Sequence, residues 1–249
     1  MQTGESSASS HTSTDWFTTT HWSVVLTAGQ SGSPAAFQAL ERLCQTYWYP
    51  LYTYVRRQGY SLEDAQDLTQ AFFERVLEKK YFAQVARNRG RFRAFLLAAL
   101  KHFLSDQRDR ERAAKRGGGK LPLSLDVQEG EERYLLEPAD PLTPEKLYER
   151  RWALTVLEQA RARLRDEFAA AGKSDLYEAL TSLETGENHS LTYADLGQRL
   201  GLSESAIKSA ALRLRRRHGE LVRQEIAQTV ASVSEIDEEI RYLLAVLAG

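Results

Sequence analysis

The chain lacks the residues on which several classes of functional site depend. Its one cysteine, Cys44, excludes an intramolecular disulfide and a cysteine-based zinc set. The five histidines share no spacing, and the sequence has no glycine-rich phosphate loop and no nucleophile motif. These absences argue against an enzyme, and we expect no cofactor and no metal.

Long hydrophobic runs are also missing. The longest apolar stretches, such as FLLAAL at 95–100, fall far short of the ~20 residues that a membrane span requires. The N-terminus is polar and has no signal-peptide core, so we expect a cytoplasmic protein that does not enter a membrane. Alternating strand patterns are scarce, whereas apolar residues recur at three- and four-residue spacing. Both features predict an all-α fold.

The stretch 192–217, TYADLGQRLGLSESAIKSAALRLRRR, has the pattern of a helix-turn-helix. Thr192 with Asp195 predicts a capping box, Gly201 marks the turn, and Ser203 is the second N-cap. Gly197 would cost ~1 kcal/mol relative to alanine within a helix, which indicates a close approach of the second helix. The apolar positions predicted to face the shared core are Leu196, Leu200, Leu202, Ile207 and Ala210.

Positive charge is concentrated on the second of these helices. From Arg199 to Arg223 there are seven basic and two acidic residues, in a chain whose net charge is −1. Charge segregated in this way indicates an anionic partner. Short polar side chains can approach base edges, and lysine and arginine suit phosphates. The residues predicted to face duplex DNA are Ser203, Ser205, Lys208, Ser209, Arg213 and Arg216.

A second basic segment lies before an acidic one. Arg87 to Lys120 holds eleven basic and three acidic residues, whereas Leu121 to Glu149 holds two basic and eight acidic residues with four prolines. This change predicts two helical domains joined by a flexible linker. The predicted division is a disordered tail at 1–14, a first domain at 15–116, a linker at 117–143, a second domain at 144–230 and a C-terminal helical extension at 231–249.

Several further helix starts carry capping signals. Outside the helix-turn-helix they include Ser61 with Asp64, Thr143 with Pro144 at the first helical position, and Ser234 with Asp237. The helix that follows Ser61 is amphipathic. Its buried face is predicted to hold Leu62, Ala65, Leu68, Phe72 and Val76.

Three segments in this order resemble sigma-70-like factors of the extracytoplasmic function (ECF) group. DAQDLTQAFFERV resembles the acidic signature of region 2 that binds the clamp helices of core RNA polymerase, and RGRFRAFLLAALKHFLSDQRDR resembles the adjoining part that opens the strands and reads the −10 element. The helix-turn-helix resembles region 4, which reads the −35 element. The resemblance covers about residues 34–116 and 145–228. It implies an initiation factor that directs core RNA polymerase to promoter DNA and catalyses no reaction itself.

The resemblance also implies roles for individual residues. The polymerase-binding residues would be Glu63, Asp64, Asp67, Gln70 and Glu74. The −10 DNA would be held by Asn88, Arg89, Arg91, Phe92, Lys101, His102, Asp106 and Arg110. A basic groove with aromatic side chains holds single strands at ~1–3 kcal/mol per stacked base. Phe92 fits the buried apolar repeat of its own helix equally well.

The acidic signature departs from the family at two positions, where Gln66 and Ala71 stand in place of carboxylates. Thr69 lies between them and is predicted to be a regulatory phosphorylation site, since a phosphate carries about −1.5 to −2 charges at pH 7. The alternative is a threonine at the edge of the apolar stripe beside Leu68 and Phe72. Phosphorylation of Thr69 would make a Ser/Thr kinase the regulator, and an anti-sigma factor is the alternative regulator.

One other function is compatible with the helix-turn-helix. A transcriptional regulator could bind operator DNA through the same helix and never contact core polymerase. That alternative leaves the DAQDLTQ string and the basic segment 87–120 unexplained. Transcription in vitro from a cognate promoter would distinguish the two.

Overall fold

The computed structural model describes residues 34–77, 91–113, 134, 142–185 and 192–249. These residues form α1 (Pro34–Arg57), α2 (Leu62–Leu77), α3 (Phe92–Ala113), α4 (Pro144–Ala170), α5 (Ser174–Thr185), α6 (Tyr193–Leu200), α7 (Glu204–Ala227) and α8 (Ile236–Ala248). A 3-10 turn at Val233–Glu235 precedes α8. The described ranges contain no strand, which confirms the all-α class there. None of their helices is long and apolar enough to cross a membrane.

Two of the predicted helix starts are confirmed by their capping hydrogen bonds. The Ser61 hydroxyl accepts the Asp64 N–H at 3.1 Å, just before α2. The Thr143 hydroxyl accepts the Lys146 N–H at 3.3 Å, with Pro144 at the first position of α4. In both cases a side-chain oxygen satisfies an N–H that has no partner within the helix.

The predicted cap of the last helix is wrong. The residue before α8 is Glu235, whose backbone is helical (φ −84°, ψ −14°) and whose side chain makes no cap hydrogen bond. An N-cap residue needs an extended backbone, whereas the residues before α8 form a 3-10 turn. The Ser234 hydroxyl instead hydrogen-bonds that of Ser232 at 2.8 Å, and Asp237 pairs with Arg223.

The larger hydrophobic core, called core 1 below, lies between α1, α2, α3 and the first half of α4. Its largest fully buried side chains include Tyr47, Phe72, Phe92, Leu100 and Trp152. The end of α7 and the C-terminal helix also enter it, through Ile226, Val230, Ile236 and Leu243. The predicted buried face of α2 is confirmed except for its first residue, Leu62, which is 38% exposed. A first-turn residue lies at the end of the apolar stripe, where packing ends.

A smaller core, core 2, lies between the second half of α4 and helices α5, α6 and α7. It contains Ala160, Leu164, Leu180, Leu196, Ile207 and Leu214. Both α4 and α7 contribute to core 1 at one end and to core 2 at the other, and Val222 packs against both. At 1.5 Å per residue, the 24 residues of α7 span about 36 Å. Helix α4, which begins the predicted second domain, packs directly on α1.

The tail at 1–14 lies outside the described residues. So does the predicted linker at 117–143, apart from Tyr134, Leu142 and Thr143. The Arg56 guanidinium stacks on the Tyr134 ring at 4.9 Å from its centroid.

Candidate nucleic-acid and polymerase interfaces

Helices α6 and α7 form the helix-turn-helix that the sequence predicts. The Thr192 hydroxyl accepts the Asp195 N–H at 3.2 Å, and the Asp195 carboxylate accepts the Thr192 N–H at 2.9 Å. This reciprocal capping box is the one expected from the spacing. Hydrogen bonds from Thr192 lower the pKa of Asp195. At the second helix, the Ser203 hydroxyl accepts the Ala206 N–H at 3.2 Å.

The turn between the two helices depends on two glycines. Gly201 ends α6 with φ +66°, a left-handed conformation that favours glycine. Gly197 lies where a Cβ atom would stand 2.6 Å from the Leu202 carbonyl oxygen. The close neighbour is thus the backbone of the turn rather than the side chains of α7. The Leu202 side chain, predicted to be buried, is exposed, and it is the Leu202 backbone that lies against Gly197.

The residues predicted to face duplex DNA all lie exposed on α7 or at its N-cap. They are Ser203, Ser205, Lys208, Ser209, Arg213 and Arg216. Lys208 pairs with Glu204 at 2.6 Å and Arg216 with Glu220 at 3.3 Å, each four residues away on the same helix. Such exposed pairs are worth ~0.5 kcal/mol or less. A phosphate can therefore displace either carboxylate at little cost.

The three consecutive arginines at the end of this segment have different surroundings. Arg215 binds Glu184 of α5 at 2.7 Å, and Arg217 binds Glu167 of α4 at 2.7 Å. That second contact lowers the pKa of Glu167. Arg216 lies between them with 82% of its side chain exposed. Arg215 and Arg217 therefore fasten α7 to its neighbours, and Arg216 faces solvent.

The acidic residues of the predicted polymerase-binding set share the outer face of α2. Glu63, Asp64 and Asp67 are exposed, and Gln70 and Glu74 are half-buried. The Gln70 side-chain amide donates to the Glu74 carboxylate at 3.2 Å. The set therefore forms one continuous acidic strip, because residues three and four apart lie side by side on a helix.

Thr69 lies on the other side of α2. Its side chain is 1% exposed, and its hydroxyl has no hydrogen-bond partner among the described residues. It is packed with Leu68 and Phe72 on the helix face that enters core 1. A kinase could reach this hydroxyl only after α2 had moved away from the core. A phosphate added here would therefore lie on the buried face and not on the acidic strip.

The residues predicted to hold −10 DNA lie on or before α3. Asn88, Arg89 and the Arg110 side chain are outside the described residues. Lys101 is exposed and pairs with Glu145 of α4 at 2.7 Å, a hydrogen bond that lowers the pKa of Glu145. His102 is exposed, and Asp106 pairs with Arg75 of α2 at 3.1 Å.

Phe92 and Arg91 have opposite environments although they are adjacent. The Phe92 ring is fully buried and meets the Tyr47 ring edge-on, with centroids 5.0 Å apart. It cannot stack on a base while α3 keeps this packing. Arg91 is half-buried and lies against the first turn of α8, 2.6 Å from Glu238 and 2.8 Å from Glu239.

A buried cluster around Arg93 was not predicted from the sequence. The Arg93 guanidinium donates to Glu239 at 2.6 Å and lies 3.9 Å from the centre of the Tyr242 ring. It also pairs with Glu149 at 3.3 Å and lies 5.0 Å from the Trp152 ring. The acidic first turn of α8 was the available signal, because a carboxylate on the apolar face of an amphipathic helix calls for a buried cation.

No family model, curated protein or solved structure matches the chain in the three comparisons made.

Proposed function

We propose that this protein is an ECF-type sigma factor, which directs core RNA polymerase to specific promoters. The observation that carries the proposal is the outer face of α7, the second helix of the helix-turn-helix, on which six polar and basic side chains are exposed. A second helix presented in this way fits the major groove. Core polymerase and promoter DNA are the proposed partners.

The acidic strip on α2 distinguishes this proposal from its alternative. An operator-binding regulator needs α7 but has no use for Glu63, Asp64 and Asp67 on a separate helix. A strip of carboxylates suits a basic partner surface, and electrostatic complementarity of this kind sets the specificity and rate of association. The helix that carries the strip packs into core 1, whereas the helix-turn-helix packs mainly into core 2.

Initiation in vitro tests the proposal. Purified core polymerase with the wild-type protein should transcribe a subset of genomic promoter fragments, and Asp67→Lys should reduce core binding about tenfold or more, since like charges repel across an interface. Glu178→Lys, an exposed carboxylate on α5, is the matched control and should bind normally. Duplex binding without initiation by any preparation would support the operator-binding regulator instead.

Control by a Ser/Thr kinase at Thr69 is a further part of the proposal, and an anti-sigma factor is the alternative regulator. Because Thr69 is buried, a phosphate there would favour a state in which α2 has loosened from core 1. Thr69→Val keeps the side-chain size and removes the unpaired hydroxyl, so it should fold normally and resist modification. Equal affinity of wild-type, Thr69→Asp and kinase-treated protein for core polymerase would rule the switch out.

A further inference from the structure

Two cations of the predicted −10 surface are already bound to carboxylates from other helices. Arg91 contacts Glu238 of α8 at 2.6 Å, and Lys101 contacts Glu145 of α4 at 2.7 Å. Glu145 lies 44 residues after Lys101 in the sequence, and Glu238 lies 147 residues after Arg91, so neither pair is a by-product of helical spacing. Both arise because α4 and α8 pack on core 1 beside α3.

Glu238 and Glu239 hold Arg91 in different ways. Glu239 is 1% exposed and divides its two oxygens between Arg91 Nε at 2.8 Å and Arg93 Nε at 2.6 Å. Glu238 is 64% exposed and contacts the outer nitrogen, Nη2, at 2.6 Å. Glu239 therefore pairs with the Arg91 guanidinium from the core side, and Glu238 pairs with its outer edge.

The Glu238 contact adds little to folding stability. An ion pair with so exposed a partner contributes ~1 kcal/mol or less, and α8 is anchored independently by Ile236 and Leu243 in core 1. What the contact does change is the charge that Arg91 presents. The same holds for Glu145, which is 41% exposed and neutralises Lys101.

We infer that Glu238 and Glu145 act as intramolecular substitutes for nucleic-acid phosphates, and that while paired they screen the α3 surface from single-stranded DNA. The inference rests on the proposed function. A carboxylate on an exposed side chain can swing away without any helix moving. Arg91 then remains paired with Glu239, with Nη2 open to a phosphate oxygen.

The test measures binding of a fluorescent single-stranded oligonucleotide to the full chain over a range of salt concentrations. Glu238→Gln should raise the affinity about three- to tenfold and steepen the logarithmic salt dependence by about 0.7, the value for one added phosphate contact on a single strand. Glu178→Gln on α5 removes the same charge from an exposed site and should change neither quantity beyond a general charge effect.

Repeating the Glu238→Gln substitution in an Arg91→Ala protein shows whether the gain in affinity comes from Arg91. In an Arg91→Ala protein, Glu238→Gln should no longer raise the affinity. Glu145→Gln should likewise act only when Lys101 is present. Denaturation midpoints of all variants establish that each is folded.

The inference is overturned if Glu238→Gln behaves like Glu178→Gln, or if its effect survives in the Arg91→Ala protein. Transcription with core polymerase is measured in parallel. An Arg91-dependent gain in oligonucleotide affinity without initiation by any variant would uphold the screening and reject the sigma-factor proposal, so the two failures are distinguishable.

Discussion

The two basic surfaces of the molecule, on α3 and on α7, differ in where their counter-charges come from. On α7, Lys208 and Arg216 are paired with carboxylates one turn away on the same helix. On α3, Arg91 and Lys101 are paired with carboxylates of α8 and α4. The pairs on α7 follow from the spacing of residues within one helix, whereas the pairs on α3 exist only because α4 and α8 pack beside it.

The comparison teaches that charge counted along the sequence is not the charge that a surface presents. The segment 87–120 has a larger excess of basic residues than 199–223. Yet Arg91 and Arg93 are taken up by Glu239 at the boundary of core 1, while Arg213 of α7 is exposed and makes no ion pair with another described residue. Among the described cations, Arg213 of the less charged segment is therefore more open than Arg91 and Arg93 of the more charged one.

Removing the buried carboxylate should have the largest effect. Glu239→Ala leaves Arg93 buried without its closest counter-charge, and breaking one side of a buried pair costs ~3–5 kcal/mol. Glu204→Ala removes an exposed carboxylate from the local pair on α7 and should cost at most about 1 kcal/mol. Chemical denaturation of both proteins measures the difference. Equal losses would show that the two kinds of pair do not differ.

Two glycines provide the next comparison. Gly197→Ala should destabilise the protein by ~1–3 kcal/mol, because the new Cβ would lie 2.6 Å from a backbone oxygen. Gly219→Ala in α7 meets nothing within 4 Å and should stabilise by up to ~1 kcal/mol. Thermal unfolding monitored by circular dichroism measures both. A neutral Gly197→Ala would mean that the turn can shift.

The capping box should give a smaller, pH-dependent effect. Thr192→Ala should cost ~1 kcal/mol near neutral pH. Because the folded-state pKa of Asp195 is lowered, its contribution is present above the unfolded-state pKa of about 4 and is lost as the pH falls through the folded value. The difference between wild type and variant should therefore shrink in acid. A difference that stays constant from pH 7 to pH 2 would contradict the role of the Asp195 carboxylate.

Binding measurements should give the smallest change in free energy. Lys208→Ala should weaken binding to duplex promoter DNA and reduce the logarithmic salt dependence by about 0.9. Arg165→Ala removes an exposed arginine from α4 and serves as the control.

Arg91→Ala should leave the salt dependence of single-strand binding nearly unchanged in the otherwise wild-type protein, because the Arg91 guanidinium is already paired with Glu238. A large change there would show that the α3 surface is open.

Local signals predicted the helix-turn-helix well. The capping box at Thr192, the turn at Gly201 and the cap at Ser203 each depend on residues within a few positions of one another. Hydrogen bonds of this range are nearly independent of the rest of the fold. The prediction for Ser234 was wrong because a different local interaction formed: the chain makes a 3-10 turn before α8, and the Glu235 carboxylate accepts the Ala231 N–H at 3.0 Å.

Side-chain environments that depend on distant helices were not predictable in the same way. The apolar repeat was compatible with a buried Phe92 and the resemblance with an exposed one, and packing against Tyr47 buries it. Thr69 sits between Leu68 and Phe72 in sequence, and the rotation of α2 against core 1 places it inside. Neither outcome follows from the spacing of apolar residues alone, because the helices packed against α2 and α3 decide which borderline residues are buried.

The sequence by itself determined the helices, most of their caps, the turn at Gly201 and the outward residues of α7, since each follows from interactions within one or two helical turns. Only the tertiary structure decided that α4 and α7 join both cores, and that carboxylates of α8 and α4 meet the cations of α3. The physical reason is range. A Coulomb interaction at under 3 Å between Arg91 and Glu238 exists only once the fold brings together two helices that lie about 150 residues apart in the sequence.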